Sequence, residues 1–399
     1  MHTNTEINLL GAEEQALRLG RLRSLMRSAG IGTAVVMDLA NIYYLTGRVF
    51  RGYIYITDGD NVPIYFVRRP NHLTGSNVHM IRKPEDISGI LAGLGIETNK
   101  LALELDTMPY SECNRLYTAL GGAFGMAANL SPVMRRCRAV KTAVEQKMIE
   151  ASGVKQSLVY ERIPHLYREG MTDIEFQIEI ERASRLEGCL GQFRTSGSDM
   201  ELFMGNVLTG ENADTPSPYD FAMGGEGLDP SLPVGANGTL IKPGNPVMVD
   251  VNGNYTGYMT DMTRCFCAGE PRPEAVRANE LSKKICSTLA SMMQPGVAAS
   301  ELYKAALDMA TEAGMADCFM GHRCHAGFVG HGLGIEINEL PVIAPRSRDV
   351  LEEGNVIALE PKFVIPGLGA VGIENTYIVG KEAPARVVTT AREGIVLLD

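Results

Sequence analysis

The sequence has no excess of basic charge. It carries 37 Lys and Arg residues against 47 Asp and Glu residues, which gives a formal net charge of −10 at pH 7. Nucleic-acid affinity depends on clustered Lys and Arg side chains that neutralise backbone phosphates. We therefore expect no nucleic-acid partner.

Long apolar runs are also absent. No stretch approaches the ~18 consecutive apolar residues that indicate a membrane-spanning helix. The opening segment, MHTNTEINLLGAEEQ, lacks the basic segment followed by an apolar segment that is typical of a secretory signal peptide. The sequence predicts a protein that has no membrane partner and lies in the cytoplasm.

Cysteine is sparse. The eight cysteines are spread thinly over 399 residues, unlike the dense disulfide framework of a small secreted domain. We expect them to be reduced thiols. One segment, DCFMGHRCH at 317–325, gathers Cys and His side chains, but their spacing fits no standard zinc motif.

The remaining composition is that of an ordinary folded protein. Hydrophobic residues make up 45% of the chain and charged residues 21%, which disfavours disordered and fibrous classes. The length of 399 residues exceeds one typical domain of ~100–200 residues. Pro132 and an Arg cluster precede a long helical segment, so we predict one domain over residues 1–135 and another over 136–399.

Hydrophobic periodicity predicts an α/β first domain and an α+β second domain. In the first domain it predicts a helix over 12–29 and strands at 33–38, 53–59 and 61–67. In the second it predicts helices near 142–169, 172–187, 273–293 and 299–314, and strands near 247–251, 262–268, 355–365 and 370–380. The Gly-, Pro- and Asn-rich segment 192–246 has little periodicity, and a loop of that length is usually functional.

Two aspartates lie in the segment VMVDVNGNYTGYMTDMTRCF. Asn and Gly turn signals separate Asp250 from Asp261, so a hairpin could bring the two carboxylates together. One turn aspartate and one surface aspartate are the alternative. Both residues are flanked by apolar or β-branched side chains, however, and buried carboxylates at close range repel each other unless a cation lies between them. A bound metal ion is the simplest explanation.

Two glutamates and one histidine extend this set. Glu360 ends the apolar segment NVIALE, and Glu374 lies in the middle of AVGIENTYIV, where a glutamate without a partner is destabilising. His331 lies between two glycines; a lone histidine there is more often structural, but the four acids favour a ligand role. Four carboxylates and one imidazole suit two divalent ions of the Mn, Co, Fe or Zn type.

With these residues, the chain resembles the pita-bread metallopeptidases, the group of Xaa-Pro dipeptidase (prolidase), aminopeptidase P, creatinase and methionine aminopeptidase. RLGRLRSLMRSAGIGTAVVMDLANIYYLTG resembles the smaller domain of creatinase and prolidase, and RAVKTAVEQKMIEAS resembles the start of their catalytic domain. The resemblance implies an α+β fold, with a pita-bread catalytic domain and a smaller α/β creatinase-type N-terminal domain. It also implies a small peptide or amide substrate, a homodimer, and two divalent metal ions, with Mn favoured.

The resemblance also assigns roles. It makes Asp250 and Asp261 the hairpin ligand pair, His331 the imidazole ligand of one metal, and Glu360 and Glu374 the remaining ligands. In such a site the metals polarise the scissile carbonyl and lower the pKa of a water molecule. Glu360 is the expected proton acceptor, because a carboxylate that touches the attacking water lies within hydrogen-bonding reach of it.

Three histidines that accompany these ligands in the family are missing here. Ser217, Gly327 and Asn338 stand in their places. Loss of a transition-state donor typically lowers the rate by roughly 10²–10³ unless another donor replaces it. Asn338 can donate a hydrogen bond but cannot act as a general acid. We expect Asn338 and Ser217 to contact the substrate.

Two more residues are substrate-site candidates. Asn206 lies in the long loop, which also carries the polar candidates Asn212, Tyr219 and Asp220. Lys362 follows Glu360 by two residues, a spacing that points both side chains to the same face of a strand. Lys362 could therefore supply a cation near the metals; a solvated surface lysine is the alternative.

These observations leave three functional hypotheses. The first is a dinuclear metal-dependent hydrolase that cleaves a small amide, most simply a dipeptide with proline after the scissile bond. The missing histidines support the second, a different reaction of the same fold, such as hydrolysis of a non-peptide amide or a lyase step on a small carboxylate. The third is a non-catalytic binding protein, against which the complete ligand set counts.

Overall fold

The computed structural model describes residues 10–69, 73–122, 127–197, 204–219 and 224–399. The chain divides into two compact units, Met1–Arg138 and Ala139–Asp399. The loop candidate Asp220 lies outside the described residues.

The first unit contains a mixed six-stranded sheet. Its strands are β1 (Thr33–Val36), β2 (Gly52–Thr57), β3 (Ile64–Val67), β4 (Val78–Met80), β5 (Leu101–Leu103) and β6 (Ala128–Asn129). Their spatial order is β4-β3-β2-β1-β5-β6, in which β1 pairs antiparallel with β2 and parallel with β5. The helices are α1 (Ala12–Ser28), α2 (Leu39–Thr46), α3 (Asp86–Gly93), α4 (Tyr110–Ala119) and α5 (Ser131–Ala139).

A buried glutamate organises the junction between β1 and α2. Glu104 follows β5, and its carboxylate accepts hydrogen bonds from the backbone N–H groups of Met37 and Asp38, at 2.6 and 2.7 Å, and from Asn41 Nδ2 at 2.6 Å. Asp38 in turn caps α2 by accepting from the N–H groups of Ala40 and Asn41. Burial, and then repulsion from Asp38, raise the pKa of Glu104 to about 7.

In its described residues, the second unit combines four helices with several sheets. The helices are α6 (Ala143–Arg162), α7 (Asp173–Leu186), α8 (Pro273–Met292) and α9 (Ala299–Glu312), and short 3₁₀ turns cover Ile163–Leu166, Gly210–Asp214 and Ala316–Cys318. The strands are β7 (Gly205–Thr209), β8 (Pro246–Val251), β9 (Gly253–Asn254), β10 (Met259–Thr260), β11 (Thr263–Ala268), β12 (Gly330–Gly332), β13 (Glu339–Ile343), β14 (Val356–Leu359), β15 (Lys362–Ile365), β16 (Gly369–Gly372), β17 (Asn375–Ile378), β18 (Arg386–Val387) and β19 (Val396–Leu398).

Two of these sheets carry the acidic candidates. One has the order β19-β11-β8-β7 and the other has the order β13-β12-β14-β17-β18. Two of the helices, α6 and α7, begin at side-chain caps: Thr142 and Thr172 each form a capping box with the glutamate three residues later. Among the described residues, no helix combines the length and the apolar character that a membrane crossing needs.

The structure departs from the predicted elements mainly around the glutamates. The strand predicted over 355–365 is two strands, because Glu360 and Pro361 interrupt it, and the strand predicted over 370–380 breaks at Ile373 and Glu374. Pro361 cannot donate a ladder hydrogen bond, which ends β14. The helix predicted near 142–169 ends at Arg162. The helices α2 and α5, and strand β7 in the long loop, were not predicted.

The proton affinity of Glu104 generates a prediction. Its pKa of about 7 lies above the ordinary value of an exposed glutamate, so the folded chain holds this proton more tightly than the unfolded chain does. The stability that Glu104 contributes is therefore complete below the unfolded pKa and is lost as the pH rises through about 7. In the wild type, we expect this residue to lower the unfolding free energy by up to about 3 kcal/mol between about pH 5 and about pH 8. Glu104→Gln should abolish that decrease.

Urea unfolding of the full chain at each pH measures this difference. Parallel pH profiles for the wild type and Glu104→Gln would show that Glu104 is ionised throughout the range.

Candidate metal centre

The two aspartates lie on the two arms of one hairpin. Strands β8 and β11 pair antiparallel, with Asp250 directly opposite Thr263, and β9 pairs with β10 closer to the turn. Asp261 lies between β10 and β11. Asp261 is buried, whereas Asp250 is partly exposed. The Asn- and Gly-rich turn therefore brings the two carboxylates to the same end of the sheet.

The second sheet supplies the imidazole and the two glutamates. His331 lies in β12 opposite Ala358 of β14, and Leu359 of β14 pairs with Asn375 of β17. Glu360 follows Leu359 and Glu374 precedes Asn375, so the two carboxylates stand side by side where these strands end. All three ligand candidates are buried.

The five side chains form two overlapping groups. Asp261, His331 and Glu374 make one group, and Asp250, Glu360 and Glu374 make the other. Within each group, one candidate ligand atom from each residue lies within 4.8 Å of the others. Glu374 belongs to both groups. His331 Nε2 lies 3.3 Å from Glu360 Oε1 and 3.9 Å from Asp261 Oδ2, which joins the two groups into one cluster.

Lys362 lies inside the second group. Its side chain is fully buried, so the surface-lysine alternative is wrong. Lys362 Nζ donates hydrogen bonds to Glu360 Oε2 at 2.7 Å, to Asp250 Oδ2 at 2.8 Å and to Glu374 Oε2 at 3.1 Å. Glu360 and Lys362 meet although they do not share a strand, since Lys362 begins β15.

Neighbouring threonines and an arginine hold the ligands in place. Thr263 Oγ1 donates to Glu374 Oε2 at 2.7 Å. Thr376 Oγ1 accepts from the N–H of Asp261 and donates to its carbonyl oxygen, both at 2.9 Å. The buried Arg264 guanidinium donates to the carbonyl oxygen of Glu374 at 2.7 Å. These contacts fix the carboxylate and the carbonyl group of Glu374 and the backbone of Asp261.

The charges of the cluster do not balance. Burial, followed by repulsion from neighbouring carboxylates, raises the pKa of Glu374 to about 8 and raises the pKa of Asp261 well above its usual value. Burial would also raise the pKa of Glu360, but the Lys362 ammonium and the His331 imidazole outweigh it and lower that pKa to about 2. One ammonium therefore compensates only part of the negative charge of four carboxylates.

Glu374, which belongs to both groups, has one carboxylate oxygen that is available to a bound cation. Glu374 Oε1 is buried and has no hydrogen-bond partner in the part of the chain that the structure describes. A buried carboxylate oxygen without a donor is destabilising unless a cation neutralises it. The donor set of Asp261, His331 and Glu374, two carboxylates and one imidazole, suits a divalent transition-metal ion.

The residues that replace the missing histidines lie in three different surroundings. The Asn338 side chain accepts from the N–H of Ser196 at 2.6 Å and donates to the carbonyl oxygen of Ser196 at 3.3 Å. The Ser217 hydroxyl donates to the carbonyl oxygen of Pro233 at 2.8 Å. Gly327 is exposed, and a Cβ atom there would meet nothing within 4 Å. None of these three residues carries an imidazole.

The other loop candidates lie in two different places. Ser217 and Tyr219 line a cavity together with His322 and His325, and none of the five ligand candidates lines it. Asn206 pairs with Asp250 across β7 and β8, and its Oδ1 lies close to Gly235. The Cys and His side chains of 317–325 form no metal-binding group among the described residues.

Sequence reasoning missed the supporting residues. Thr263 and Arg264 lie two and three residues after Asp261, and Thr376 lies two residues after Glu374, so all of them are near ligand candidates in the sequence. The signal that could have identified Thr263 is its place opposite Asp250 in the predicted hairpin. The positions of Thr376 and Arg264 depend on contacts between the two sheets, which no local pattern encodes.

Comparison with known proteins identifies the family of this architecture. The family described as Metallopeptidase family M24 matches residues 146–381, and the Creatinase/Prolidase N-terminal domain matches residues 18–140. The Xaa-Pro dipeptidase of Pyrococcus furiosus is 26% identical over 383 residues, which cover 94% of this chain and 99% of that protein. The probable dipeptidase PepE of Mycobacterium bovis is 28% identical over 312 residues, covering 78% of this chain and 73% of that protein.

A solved structure agrees in fold. The Xaa-Pro dipeptidase from Bacillus anthracis superposes with a TM-score of 0.79 at 24% identity, covering 96% of this chain and 100% of that one. These findings confirm the predicted fold, a pita-bread catalytic domain with a creatinase-type N-terminal domain. Because the peptidase match spans more than half of its length, the chain belongs to metallopeptidase family M24.

Proposed function

We propose that this chain is a metal-dependent hydrolase that cleaves a small amide, most simply a dipeptide with proline after the scissile bond. The observation that carries the proposal is the buried group of Asp261, His331 and Glu374 in a chain of this family, with an oxygen of Glu374 that lacks a donor among the described residues. The relatives named Xaa-Pro dipeptidase support the substrate class.

In this proposal, Asp261, His331 and Glu374 hold a divalent ion, and Asp250 and Glu360 complete the predicted ligand set. A divalent ion bound there supplies Lewis acidity, which polarises an amide carbonyl and lowers the pKa of a water molecule. Harder ions of the Mn type are favoured by the predominance of carboxylate ligands.

The protein's own residues position this chemistry. Glu360 Oε2 is bound to Lys362, so Glu360 Oε1, which lies 3.3 Å from His331 Nε2, is the candidate proton acceptor. Thr263 and Thr376 orient Glu374 and Asp261 through the hydrogen bonds described above. Such contacts to metal ligands fix their direction and raise metal affinity.

A second candidate function is a reaction of the same fold on a non-peptide amide or small carboxylate. The observation that favours it is the absence of imidazoles at Ser217, Gly327 and Asn338, together with the engagement of Asn338 by the backbone of Ser196. A non-catalytic binding role is the third candidate. We further propose a homodimer in the cytoplasm that contacts neither nucleic acid nor membrane.

The proposed function predicts both amide hydrolysis and a metal-binding role for His331. We expect the protein loaded with Mn²⁺ or Co²⁺ to hydrolyse at least one member of a panel of Xaa-Pro dipeptides. His331→Ala removes the only imidazole of the candidate ligand set, so we expect Mn²⁺ affinity to fall roughly 100-fold or more, with loss of hydrolysis. Isothermal titration calorimetry and a ninhydrin assay of released proline measure the two effects.

His165→Ala is the control, because His165 is exposed and pairs with Asp399 at the surface. Hydrolysis of N-acyl amino acids without any cleavage of the dipeptide panel would favour the non-peptide alternative. Unchanged Mn²⁺ binding in His331→Ala, with no hydrolysis of either panel, would favour the binding protein.

The hydrogen bond that orients Glu374 is expected to strengthen Mn²⁺ binding. Thr263→Val keeps the side-chain shape but removes the hydroxyl that donates to Glu374 Oε2. We expect Mn²⁺ affinity to fall about 10- to 100-fold, as is typical when a partner of a metal ligand is lost. Thr311→Val, on the exposed face of α9, is the matched control and should bind Mn²⁺ as the wild type does. Equal Mn²⁺ affinities in the two variants would show that the Thr263 hydroxyl does not contribute to metal binding.

A further inference from the structure

Lys362 occupies the middle of one of the two candidate ligand groups. Its ammonium contacts Asp250, Glu360 and Glu374, which are the complete second group, at N···O distances of 2.7 to 3.1 Å. A lysine ammonium has three N–H donors and no acceptor. Three donors meet three carboxylates, so every hydrogen-bonding position of the ammonium is filled from within this group.

The backbone holds Lys362 in this position. Its carbonyl oxygen accepts from the N–H of Met320 at 2.8 Å, and Lys362 pairs with Gly372 across β15 and β16. A Cβ atom at residue 372 would lie 2.9 Å from Lys362 Cα and 3.1 Å from Lys362 Cγ. Glycine at residue 372 therefore makes the room through which the lysine stem passes into the cluster.

An ammonium and a divalent ion cannot share this group. Metal–oxygen bonds to carboxylates measure about 2.0–2.2 Å, and the same three carboxylates already surround Nζ at hydrogen-bond distance. An ion placed among them would meet a fixed positive charge within contact range, where like charges repel most strongly in a buried site.

We infer that the Lys362 ammonium replaces one of the two metal ions of the predicted dinuclear site and excludes a divalent ion from the group of Asp250, Glu360 and Glu374. This inference rests on the proposed function only in that the remaining group, Asp261, His331 and Glu374, then holds the single divalent ion. Lys362 Nζ occupies the space among these three carboxylates that a second ion would need.

This arrangement changes what the site offers a substrate. A metal ion in the second group could accept a substrate atom as a further ligand, whereas the ammonium of Lys362 has no free donor. The prediction that Lys362 binds substrate is therefore replaced by a role as counter-ion for the carboxylates. The site then has one Lewis-acidic position, and Lys362 is a positioning residue for Asp250 and Glu360.

The test is the number of ions bound at saturation. The full chain, freed of metal with a chelator, is titrated with Mn²⁺ by isothermal calorimetry, and bound metal is counted by mass spectrometry after removal of the free ion. We expect one equivalent in the wild type. Lys362→Met keeps an unbranched side chain that is one atom shorter and carries no charge, and it should bind one additional equivalent. Lys362→Arg, which keeps a positive charge, should not gain one.

Lys141→Met is the matched control, because Lys141 is also buried and ion-paired, with Glu339 at 3.0 Å, but contacts no ligand candidate in this pairing. It should bind as many ions as the wild type. Circular dichroism establishes that each variant is folded before its ions are counted.

Two equivalents in the wild type would overturn the inference, and that count decides even if Lys362→Met does not fold. A folded Lys362→Met that gains no ion would overturn it as well. No ion in the wild type and one in Lys362→Met would support the exclusion while contradicting the proposed metal-dependent function. One ion in the wild type without hydrolysis of any amide would leave the inference standing and refute the proposed hydrolase.

Discussion

Four carboxylates lie close together inside the second unit, and their burial constrains the structure around them. Asp261, Glu360 and Glu374 are buried and Asp250 is half-buried at the ends of two sheets. Buried charges of one sign are strongly destabilising unless cations or hydrogen-bond donors compensate them. The Lys362 ammonium and the Thr263 hydroxyl donate to these carboxylates and reduce this cost, whereas Arg264 and Thr376 fix the backbone that carries two of them.

The register of the two sheets determines where these carboxylates lie. A hairpin fixes the aspartate pair, because Asp250 pairs with Thr263 only two residues from Asp261. The pairing of Leu359 with Asn375 fixes the glutamate pair at the ends of β14 and β17. A shift of one residue in either pairing would turn a carboxylate to the opposite face. The ligand geometry is therefore a consequence of strand register.

The parts of this architecture that follow local rules could be predicted from the sequence. The helix predicted over 12–29 is Ala12–Ser28, because Leu and Met recur at helical spacing and Gly30 follows. The fold class followed from motifs spread along the chain. The breaks at Glu360 and Glu374 were missed, since an apolar run with one acid reads as a continuous strand when the tertiary partner of that acid is unknown.

Lys362 shows most clearly which contacts could not be predicted from the sequence. Its spacing from Glu360 indicated a common face, but burial depends on Gly372, which lies ten residues away and makes room for the lysine stem. Likewise, the backbone of Ser196 that engages Asn338 is 142 residues distant along the chain. Contacts of this kind are set by the packing of whole sheets and loops, and short-range patterns do not contain them.

A crystal structure of the Mn²⁺-saturated protein, with anomalous diffraction at the manganese edge, would show directly whether one lysine and one metal ion occupy the two groups of buried carboxylates. We expect one anomalous peak between Asp261, His331 and Glu374, with Lys362 Nζ still in contact with Asp250. Two peaks, with the Lys362 side chain displaced from the carboxylates, would contradict it.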